Sequence, residues 1–503
     1  MSHAALTDAG EDQPDASVQA DGTATEATTE DSPGKGGLVE RLRRTPIELV
    51  ILAVLAAVTR FARLYNPREI VFDEVLFRDW ALRYKAAAYY FDVHPPLGKL
   101  LLGAWGAITG VDGTIANTDP SVAMRILPAF AGTLLIIVVY VLIRQLCGSR
   151  RVATLGAGLL LLDNALLVES RFILMDSMLL LFGISAVVVA LAARQRTGPA
   201  YWWLLAASAA LAGCAFATKV SGLSVFGLIG LIWLADVVRE RRSWRPVLGQ
   251  AAVLVLVPAT LFVAVFAVHF ALLTKTGGSN YDSSMPIEFQ ATLEGNPAYK
   301  PDAKRSFPQK FVDLNKAMQD GQLSMSTATH PYSSKWWSWP IMKRGVYVYF
   351  KQVAPGKARY IYTLGNPAVW WGNLVGALIV LIGMLVVPRR FAPYKWPLIF
   401  LAIGWASNYL PFALIDRPMF LYHYLFALIF STAFVCVGLG ALTGWIKEEE
   451  GKPWSFPSRW SAAGYWAVLG VALLGFVYFA PLTYGLPLTD EAMKARMWLS
   501  TWR

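Results

Sequence analysis

The segment AMRILPAFAGTLLIIVVYVLIR (residues 123–144) is almost entirely apolar, and its two arginines lie near its ends. A helix rises about 1.5 Å per residue, so roughly 20 such residues cross the hydrocarbon core of a bilayer, which is about 30 Å thick. The whole chain shares this character, since 55% of its 503 residues are hydrophobic and only 16% are charged. Soluble domains carry about 25% charged residues. The composition therefore predicts a polytopic membrane protein and excludes Rossmann, barrel and sandwich folds.

Apolar runs of this kind recur along the chain and predict an all-α fold with about eleven transmembrane helices. They lie near residues 46–65, 123–144, 152–169, 172–193, 201–217, 220–238, 250–273, 371–388, 396–413, 419–444 and 462–483.

Short basic clusters lie between alternate apolar runs, and the chain has a net charge of +11. By the positive-inside rule these clusters are cytoplasmic. They predict a multi-pass protein of the cell membrane with a cytoplasmic N-terminus and an extracytoplasmic C-terminus. Because orientation accounts for the positive charge, no nucleic-acid partner is predicted. The clusters are Arg41, Arg43 and Arg44; Arg144, Arg150 and Arg151; Arg194 and Arg196; Arg239, Arg241, Arg242 and Arg245; Arg389, Arg390 and Lys395; and Lys447, Lys452 and Arg459.

Composition also predicts how the chain is organised. The N-terminal segment has almost no large apolar side chain, which predicts a disordered acidic tail. Two membrane modules flank a loop that is long enough to form a small extracytoplasmic cap. The predicted parts are a cytoplasmic tail at 1–37, an N-terminal module of seven spans at 38–273 with its first outer loop at 66–122, the cap at 274–370, a C-terminal module of four spans at 371–485, and an extracytoplasmic C-terminal tail at 486–503.

The predicted cap contains an amphipathic stretch at 311–319, an aromatic run at 330–340, and two alternating segments at 346–350 and 359–364 around a Pro-Gly turn. The alternation predicts a β-hairpin, and the amphipathic stretch predicts a short helix. The tryptophans of this region are typical both of an interfacial aromatic belt and of a platform for a sugar or peptide. They are Trp336, Trp337, Trp339, Trp370 and Trp371.

Isolated cations lie in apolar surroundings at the predicted outer ends of four hairpins. They are Arg125, Arg171, Lys219 and Arg417. A charge at the centre of a membrane helix costs on the order of 2.5–3.5 kcal/mol, and less at its ends. Each cation could pair with Glu169, Asp176 or Asp416, or extend to the headgroups. Their occurrence on four hairpins also favours a shared anionic ligand, of which a lipid phosphate is the natural candidate in a membrane.

Carboxylates follow the first span, where Asp73 and Glu74 are adjacent in IVFDEVLFRDW. Neighbouring residues do not share one helix face, so one carboxylate can enter a site while the other pairs with a cation. The next motif, FDVHPPLGKLL, adds Asp92, His94 and Lys99. A solvated acidic turn is the alternative, and the spacing is only weak support for a metal site. No metal is therefore predicted.

These residues lie in motifs that resemble the protein O-mannosyltransferases, membrane-embedded glycosyltransferases of the C type. The resemblance runs from about residue 46 to 485. The motifs are FDEV, FDVHPPLGKLL, MRILPAFAG, LLDNALLVESRFILMDSML, FATKVSGL, HPYSSKWWSWP, GNPAVWW and RPMFLYHYLFAL.

The resemblance implies transfer of mannose from a polyprenyl-phosphate-mannose lipid to Ser or Thr hydroxyls of an exported polypeptide, with inversion at the anomeric carbon. It implies that Asp73 and Glu74 form the catalytic motif, with Asp73 as general base. The cations would then bind the donor phosphate, with Arg125 and Lys219 favoured over Arg171 and Arg417. Residues of the other motifs are candidates for substrate binding, namely Asp92, His94, Lys99, His330, Tyr332, Trp336, Tyr422 and His423.

The resemblance also implies membrane lipids and the secretion translocon as partners, and no cofactor besides the lipid-linked donor. Fungal and animal members carry β-trefoil MIR domains in the large outer loop. The predicted loop at 274–370 is too short to hold them and shows no threefold repeat, so a bacterial form is expected. Three other functions stay open: a related transferase that moves an arabinose-type sugar to lipid or glycan, a transporter, and a lipid-binding scaffold.

Overall fold

The computed structural model describes residues 46–111, 120–240, 243–449 and 452–502. The predicted tail at 1–37 lies outside these ranges, as do Arg41, Arg43, Arg44, Arg241 and Arg242 of the basic clusters and part of the first outer loop.

The described chain is a helical bundle that carries a small mixed cap. Its membrane helices are α4 Pro120–Cys147, α7 Asp176–Ala193, α8 Gly198–Thr218, α9 Leu223–Glu240, α10 Trp244–Leu272, α14 Pro367–Val386, α15 Pro388–Phe391 continued by α16 Lys395–Ser407, α17 Leu425–Thr443 and α18 Arg459–Tyr484. Within the described ranges, nine helical stretches are long and apolar enough to cross a membrane. The other helices enclose α17, whereas α10 and α18 expose most of their surface.

The expected count of eleven spans is not confirmed. The run at 46–65 forms α1 Ile47–Phe61, which has only 15 residues. The run at 152–169 is not one helix but two, α5 Arg150–Leu161 and α6 Asn164–Glu169. Asp163 causes the break, because its carboxylate accepts hydrogen bonds from Leu166 N at the start of α6 and from Trp370 Nε1.

On the side of the bundle that carries the cap, two long segments connect consecutive helices of the bundle. The loop after α1 leads into α2 Glu74–Ala86 and α3 Leu97–Ile108, which pack against each other. The cap itself contains α11 Ser279–Asp282, α12 Ile287–Gln290 and α13 Phe307–Ser324. The predicted amphipathic helix is confirmed by α13, whose N-terminus is closed by a capping box between Ser306 and Gln309.

The predicted hairpin is confirmed as β1 Val346–Ala354 and β2 Lys357–Thr363, which pair antiparallel. Gly356 in its turn has a φ of +65°, a conformation that glycine adopts without strain. A third strand was not predicted. It is β3 Pro487–Thr489, which precedes α19 Asp490–Arg496 and pairs with β2, so the C-terminal segment becomes part of the cap.

Most of the tryptophans of the cap region serve neither as a belt nor as an open platform. Trp339 and Trp370 are fully buried, and Trp336 packs on Tyr409. Trp371 donates a hydrogen bond to Ile341 O, while Trp337 is exposed. These rings therefore attach the cap to the bundle, because each buried indole packs against a residue of another segment.

Candidate active site

A cavity of about 800 Å³ opens where the loop before α2, the start of α7, the junction of α8 and α9, the end of α13 and the segment before α17 meet. It brings together six of the residues that the sequence analysis selected. These are Asp73, His94, Lys219, Arg417, Tyr422 and His423. The other selected residues do not line this cavity.

Asp73 directly precedes α2 and faces the cavity. Within the described part of the chain, its carboxylate makes no capping hydrogen bond and no ion pair. Burial raises the pKa of Asp73 to about 6, although the nearby Lys219 opposes this shift. A carboxylate with this pKa is ionised at neutral pH and is a better proton acceptor than an ordinary aspartate.

Glu74 has a different environment from its neighbour. It is fully buried and accepts two hydrogen bonds from Arg125, each 2.7 Å long. Its oxygens also accept from Val71 N at 3.1 Å and from Ile173 N at 2.9 Å. The expectation that Glu74 is catalytic is not supported, because these four donors occupy its carboxylate outside the cavity.

Arg125 lies outside the cavity as well, which goes against its expected contact with the donor phosphate. Its guanidinium is fully buried, and besides Glu74 it donates to backbone carbonyls of the loop after α1. These acceptors are Leu64 O at 3.2 Å, Pro67 O at 2.6 Å and Glu69 O at 3.0 Å. With its donors used in this way, Arg125 fixes the loop that carries Asp73.

Arg171 also has a structural position. Its guanidinium donates to four carbonyl oxygens at and just beyond the C-terminal end of α1, namely those of Thr59, Arg60, Ala62 and Arg63. The last carbonyls of a helix lack partners inside the helix, and a cation there also interacts favourably with the helix dipole. Arg171 is therefore the cap of α1 and is not placed to bind a donor in the cavity.

Two of the four cations do reach the cavity. Lys219 follows α8 and donates to both oxygens of Asp176, at 2.9 and 2.7 Å. Arg417 lies between α16 and α17 and forms no hydrogen bond or ion pair with any described residue. The cavity thus contains one paired and one unpaired cation beside Asp73.

The FDVHPPLGKLL motif contributes His94 to the cavity wall. Asp92 and Lys99 form a buried ion pair behind it, and Lys99 also donates to His94 O at 2.6 Å. Burial lowers the pKa of His94 to about 3, so its imidazole is neutral. Asp92 and Lys99 therefore position His94 and do not themselves line the cavity.

The aromatic motif of the cap packs behind the cavity. His330 contacts the edge of Phe420, and Tyr332 stacks on Tyr347. The expectation that His330, Tyr332 and Trp336 bind substrate is thus not supported by their placement. They hold the segment that delivers Tyr422 and His423, whose rings stack with centroids 4.8 Å apart.

Several polar groups of the cavity were not predicted as site residues from the sequence. Glu169 and Asp176 line it and were considered only as partners for cations. The pairing of Asp176 with Lys219 confirms that alternative for one cation. Hydroxyl and amide groups also contribute to the wall, and no motif distinguished them from packing residues. They are Ser221, Ser224, Gln322, Ser326, Ser407 and Asn408.

Comparison with known proteins identifies the family. The family model described as dolichyl-phosphate-mannose-protein mannosyltransferase matches residues 50–274, and the model described as the C-terminal four TMM region of protein-O-mannosyltransferase matches residues 307–502. The chain belongs to the protein O-mannosyltransferase family.

Individual relatives of this family match to different extents. Protein O-mannosyltransferase 1 of Drosophila pseudoobscura pseudoobscura is 36% identical over 263 residues, which are 48% of this chain but 29% of the fly protein. The chain thus spans less than a third of that relative. The polyprenol-phosphate-mannose–protein mannosyltransferase of Corynebacterium glutamicum is 27% identical over 90% of this chain and 92% of its own length. This match agrees with the expected bacterial form.

Solved structures support the fold. The S. cerevisiae protein O-mannosyltransferase complex bound to the sugar donor matches with a TM-score of 0.79 at 20% identity, over 91% of this chain and 92% of that chain. An oligosaccharyltransferase of Archaeoglobus fulgidus matches with a TM-score of 0.52 at 13% identity, over 87% of this chain and 56% of that chain. The C-type glycosyltransferase fold expected for this family is therefore the fold of the described chain.

The buried pair of Glu74 and Arg125 yields a stability prediction. Glu74→Gln and Arg125→Met should each lower the free energy of unfolding by about 3–5 kcal/mol, because each leaves a buried charge without its partner. The double variant should lose less than the sum of the two, as measured by denaturant unfolding of the purified protein in detergent.

Lys351→Met is the matched control, since it removes an exposed ion pair with Glu69 and should cost less than about 1 kcal/mol. Strictly additive losses for Glu74→Gln and Arg125→Met would show that the two side chains do not stabilise each other.

Proposed function

We propose that this family member transfers mannose from polyprenyl-phosphate-mannose to Ser or Thr hydroxyls of an exported polypeptide, on the extracytoplasmic face of the cell membrane. The observation that carries the proposal is the common cavity of Asp73, Lys219 and Arg417. The proposed reaction needs a proton acceptor close to positive charge, and these three side chains line one cavity, which supports the proposal. The names of the bacterial relatives, which state the same donor and a protein acceptor, support the choice of substrates.

Asp73 is the proposed general base. The hydroxyl oxygen of the acceptor forms a bond to the anomeric carbon while the bond from that carbon to the phosphate oxygen breaks, and the hydroxyl proton passes to the Asp73 carboxylate. General-base catalysis of this kind typically contributes about 10²–10⁴-fold. A single displacement from the side opposite the phosphate inverts the anomeric centre. The raised pKa of Asp73 supports this role because it strengthens the base without neutralising it at pH 7.

Lys219 and Arg417 are the proposed phosphate ligands. The leaving group departs as a phosphate monoester, so it needs stabilisation of negative charge more than a proton from an acid. All N–H groups of the Arg417 guanidinium can donate to the phosphate, because no described residue forms a hydrogen bond or ion pair with them. Lys219 is held by Asp176, which fixes its position in the wall. Arg125 is not among the proposed phosphate ligands, because its guanidinium already donates hydrogen bonds to Glu74 and to backbone carbonyls.

The polyprenyl tail is proposed to leave the cavity between α9 and the segment before α17. Val220, Leu223 and Leu414 line the cavity there, and all three are strongly exposed on the surface of the bundle. An apolar opening of this kind suits a lipid that keeps its tail in the bilayer while its headgroup enters a polar site. The acceptor would then approach from the cap side, past Gln322 and Ser326.

Replacing Asp73 tests the base. Asp73→Asn should lower the rate of mannose transfer by about 10²–10⁴-fold. In the native protein the rate should fall as the pH decreases below about 6, because a carboxyl whose pKa is raised to about 6 is protonated there and cannot accept the proton. Transfer from radiolabelled polyprenyl-phosphate-mannose to a Ser/Thr-rich peptide measures both effects.

Asp79→Asn is the control, since Asp79 lies on α2, which Asp73 directly precedes, but pairs with Arg83 outside the cavity. Near-native transfer by Asp73→Asn would rule out Asp73 as the base.

Replacing Arg417 tests the phosphate site. Arg417→Gln should weaken donor binding about tenfold or more, because a hydrogen bond to a charged group contributes about 1.5–3 kcal/mol. The KM for the acceptor peptide should change little. Binding of polyprenyl-phosphate-mannose to the purified protein is the measurement, and the exposed Arg389→Gln is the control. If neither Arg417→Gln nor Lys219→Gln alters donor affinity, the phosphate lies elsewhere.

The proposed mechanism uses no metal ion, because Lys219 and Arg417 are proposed to stabilise the charge of the leaving phosphate. Transfer should therefore continue at an unchanged rate in the presence of EDTA. Loss of transfer that is reversed by added Mn²⁺ would instead require a metal beside the carboxylates.

A further inference from the structure

A second cavity, of about 290 Å³, lies at the other end of the membrane helices. We call it the far cavity and define it by Gln145, Arg194, Asp236, Arg239, Glu240 and Trp396. The helix α7 begins at Asp176 in the active-site cavity and ends at Ala193, next to Arg194. Its 18 residues span roughly 27 Å, which is close to the thickness of the hydrocarbon core. The far cavity therefore lies at the opposite membrane face from the candidate active site.

The far cavity has two buried polar atoms that need partners. Trp396 Nε1 is a donor and Gln145 Oε1 is an acceptor, and neither has a hydrogen-bond partner among the described residues. A buried polar group without a partner destabilises the protein, so such atoms usually bind water or a ligand. A ligand that satisfies both atoms must offer an acceptor and a donor within a small distance of each other.

Among the described residues that line the far cavity, positive and negative charges balance. Arg194 and Arg239 are opposed by Asp236 and Glu240, and Arg194 is held by Asp236 through hydrogen bonds of 2.7 to 2.9 Å. A lining with two cations and two anions favours a zwitterion over a simple anion, because each charge of the ligand meets an opposite one. The indole ring of Trp396 closes one side, 5.7 Å from the Arg194 guanidinium.

The surroundings of the far cavity indicate a lipid rather than a soluble compound. The helices α9 and α16 pack against each other and both supply lining residues. The same two helices expose Leu234 and Val238, and Ile399 and Ile403, on the surface of the bundle. An acyl chain can lie along such apolar side chains while its headgroup occupies the polar end, as in other headgroup sites between membrane helices.

We propose that the far cavity binds the headgroup of phosphatidylethanolamine. The phosphate accepts hydrogen bonds from Trp396 Nε1 and Arg239, and the primary ammonium donates to Gln145 Oε1 and lies near the Asp236 carboxylate. Phosphatidylcholine has the same charges, but its quaternary nitrogen has no N–H to donate. The assignment therefore predicts discrimination between two lipids that differ only in N-methyl groups.

Lipid binding to the full-length protein in detergent tests this assignment without any substitution. Phosphatidylethanolamine should raise the apparent melting temperature and remain bound in native mass spectra, and phosphatidylcholine with the same acyl chains should bind about tenfold more weakly or worse. The mono- and dimethylated lipids should fall between them. Equal binding of phosphatidylethanolamine and phosphatidylcholine would overturn the assignment. Phosphoethanolamine without acyl chains should not compete, and full competition by it would contradict a lipid ligand.

Two variants locate the binding site. Gln145→Leu removes the acceptor of the ammonium N–H and should reduce phosphatidylethanolamine binding to the level of phosphatidylcholine. Trp396→Phe removes a donor to the phosphate that both lipids carry, so it should weaken the binding of both lipids about tenfold. Trp203→Phe is the matched control, because Trp203 is an exposed tryptophan near the start of α8 at the same end of the bundle. Unchanged preference for phosphatidylethanolamine in Gln145→Leu together with unchanged lipid affinity in Trp396→Phe, or an equal loss in Trp203→Phe, would place the lipid outside the far cavity.

Discussion

The buried ion pair between Glu74 and Arg125 determines the geometry on which the candidate active site depends. Arg125 on α4 connects the carboxylate at the start of α2 with the carbonyls of Leu64, Pro67 and Glu69. One residue earlier in the chain, Asp73 must then point in another direction, since adjacent positions do not share a helix face. The pair therefore fixes a loop and leaves only one of these two adjacent carboxylates, Asp73, at the cavity.

The cavity combines charges that would be costly if they were unpaired in the membrane. Lys219 is neutralised in part by Asp176, whereas Arg417 has no described partner. A lipid phosphate would give Arg417 the ion-pair partner that it lacks among the described residues, which is the physical reason for the proposed donor site. The buried pair of Asp92 and Lys99 supports His94 from behind, so the wall near Asp73 is held by contacts that do not depend on substrate.

Periodicity and turn chemistry were sufficient to predict most apolar helices, the amphipathic helix and the β-hairpin. They failed where a tertiary contact determines the end of a helix. Helix α5 ends before Asp163 because residues 366 and 370, which belong to a distant segment, donate hydrogen bonds to the Asp163 carboxylate. The adjacent carboxylates at Asp73 and Glu74 were recognised, and the argument from neighbouring helix faces anticipated their different environments. Sequence could not separate Arg125 and Arg171 from Arg417, because an isolated cation in an apolar run looks the same whether carbonyls or a ligand satisfy it.

An experimental structure of the full-length protein with bound polyprenyl-phosphate-mannose tests the central claim most directly. The phosphate should lie within hydrogen-bond distance of Lys219 or Arg417, the anomeric carbon should face the side of Asp73, and Arg125 should still be bound to Glu74. A phosphate bound by Arg125, with Glu74 displaced into the cavity, would contradict this claim.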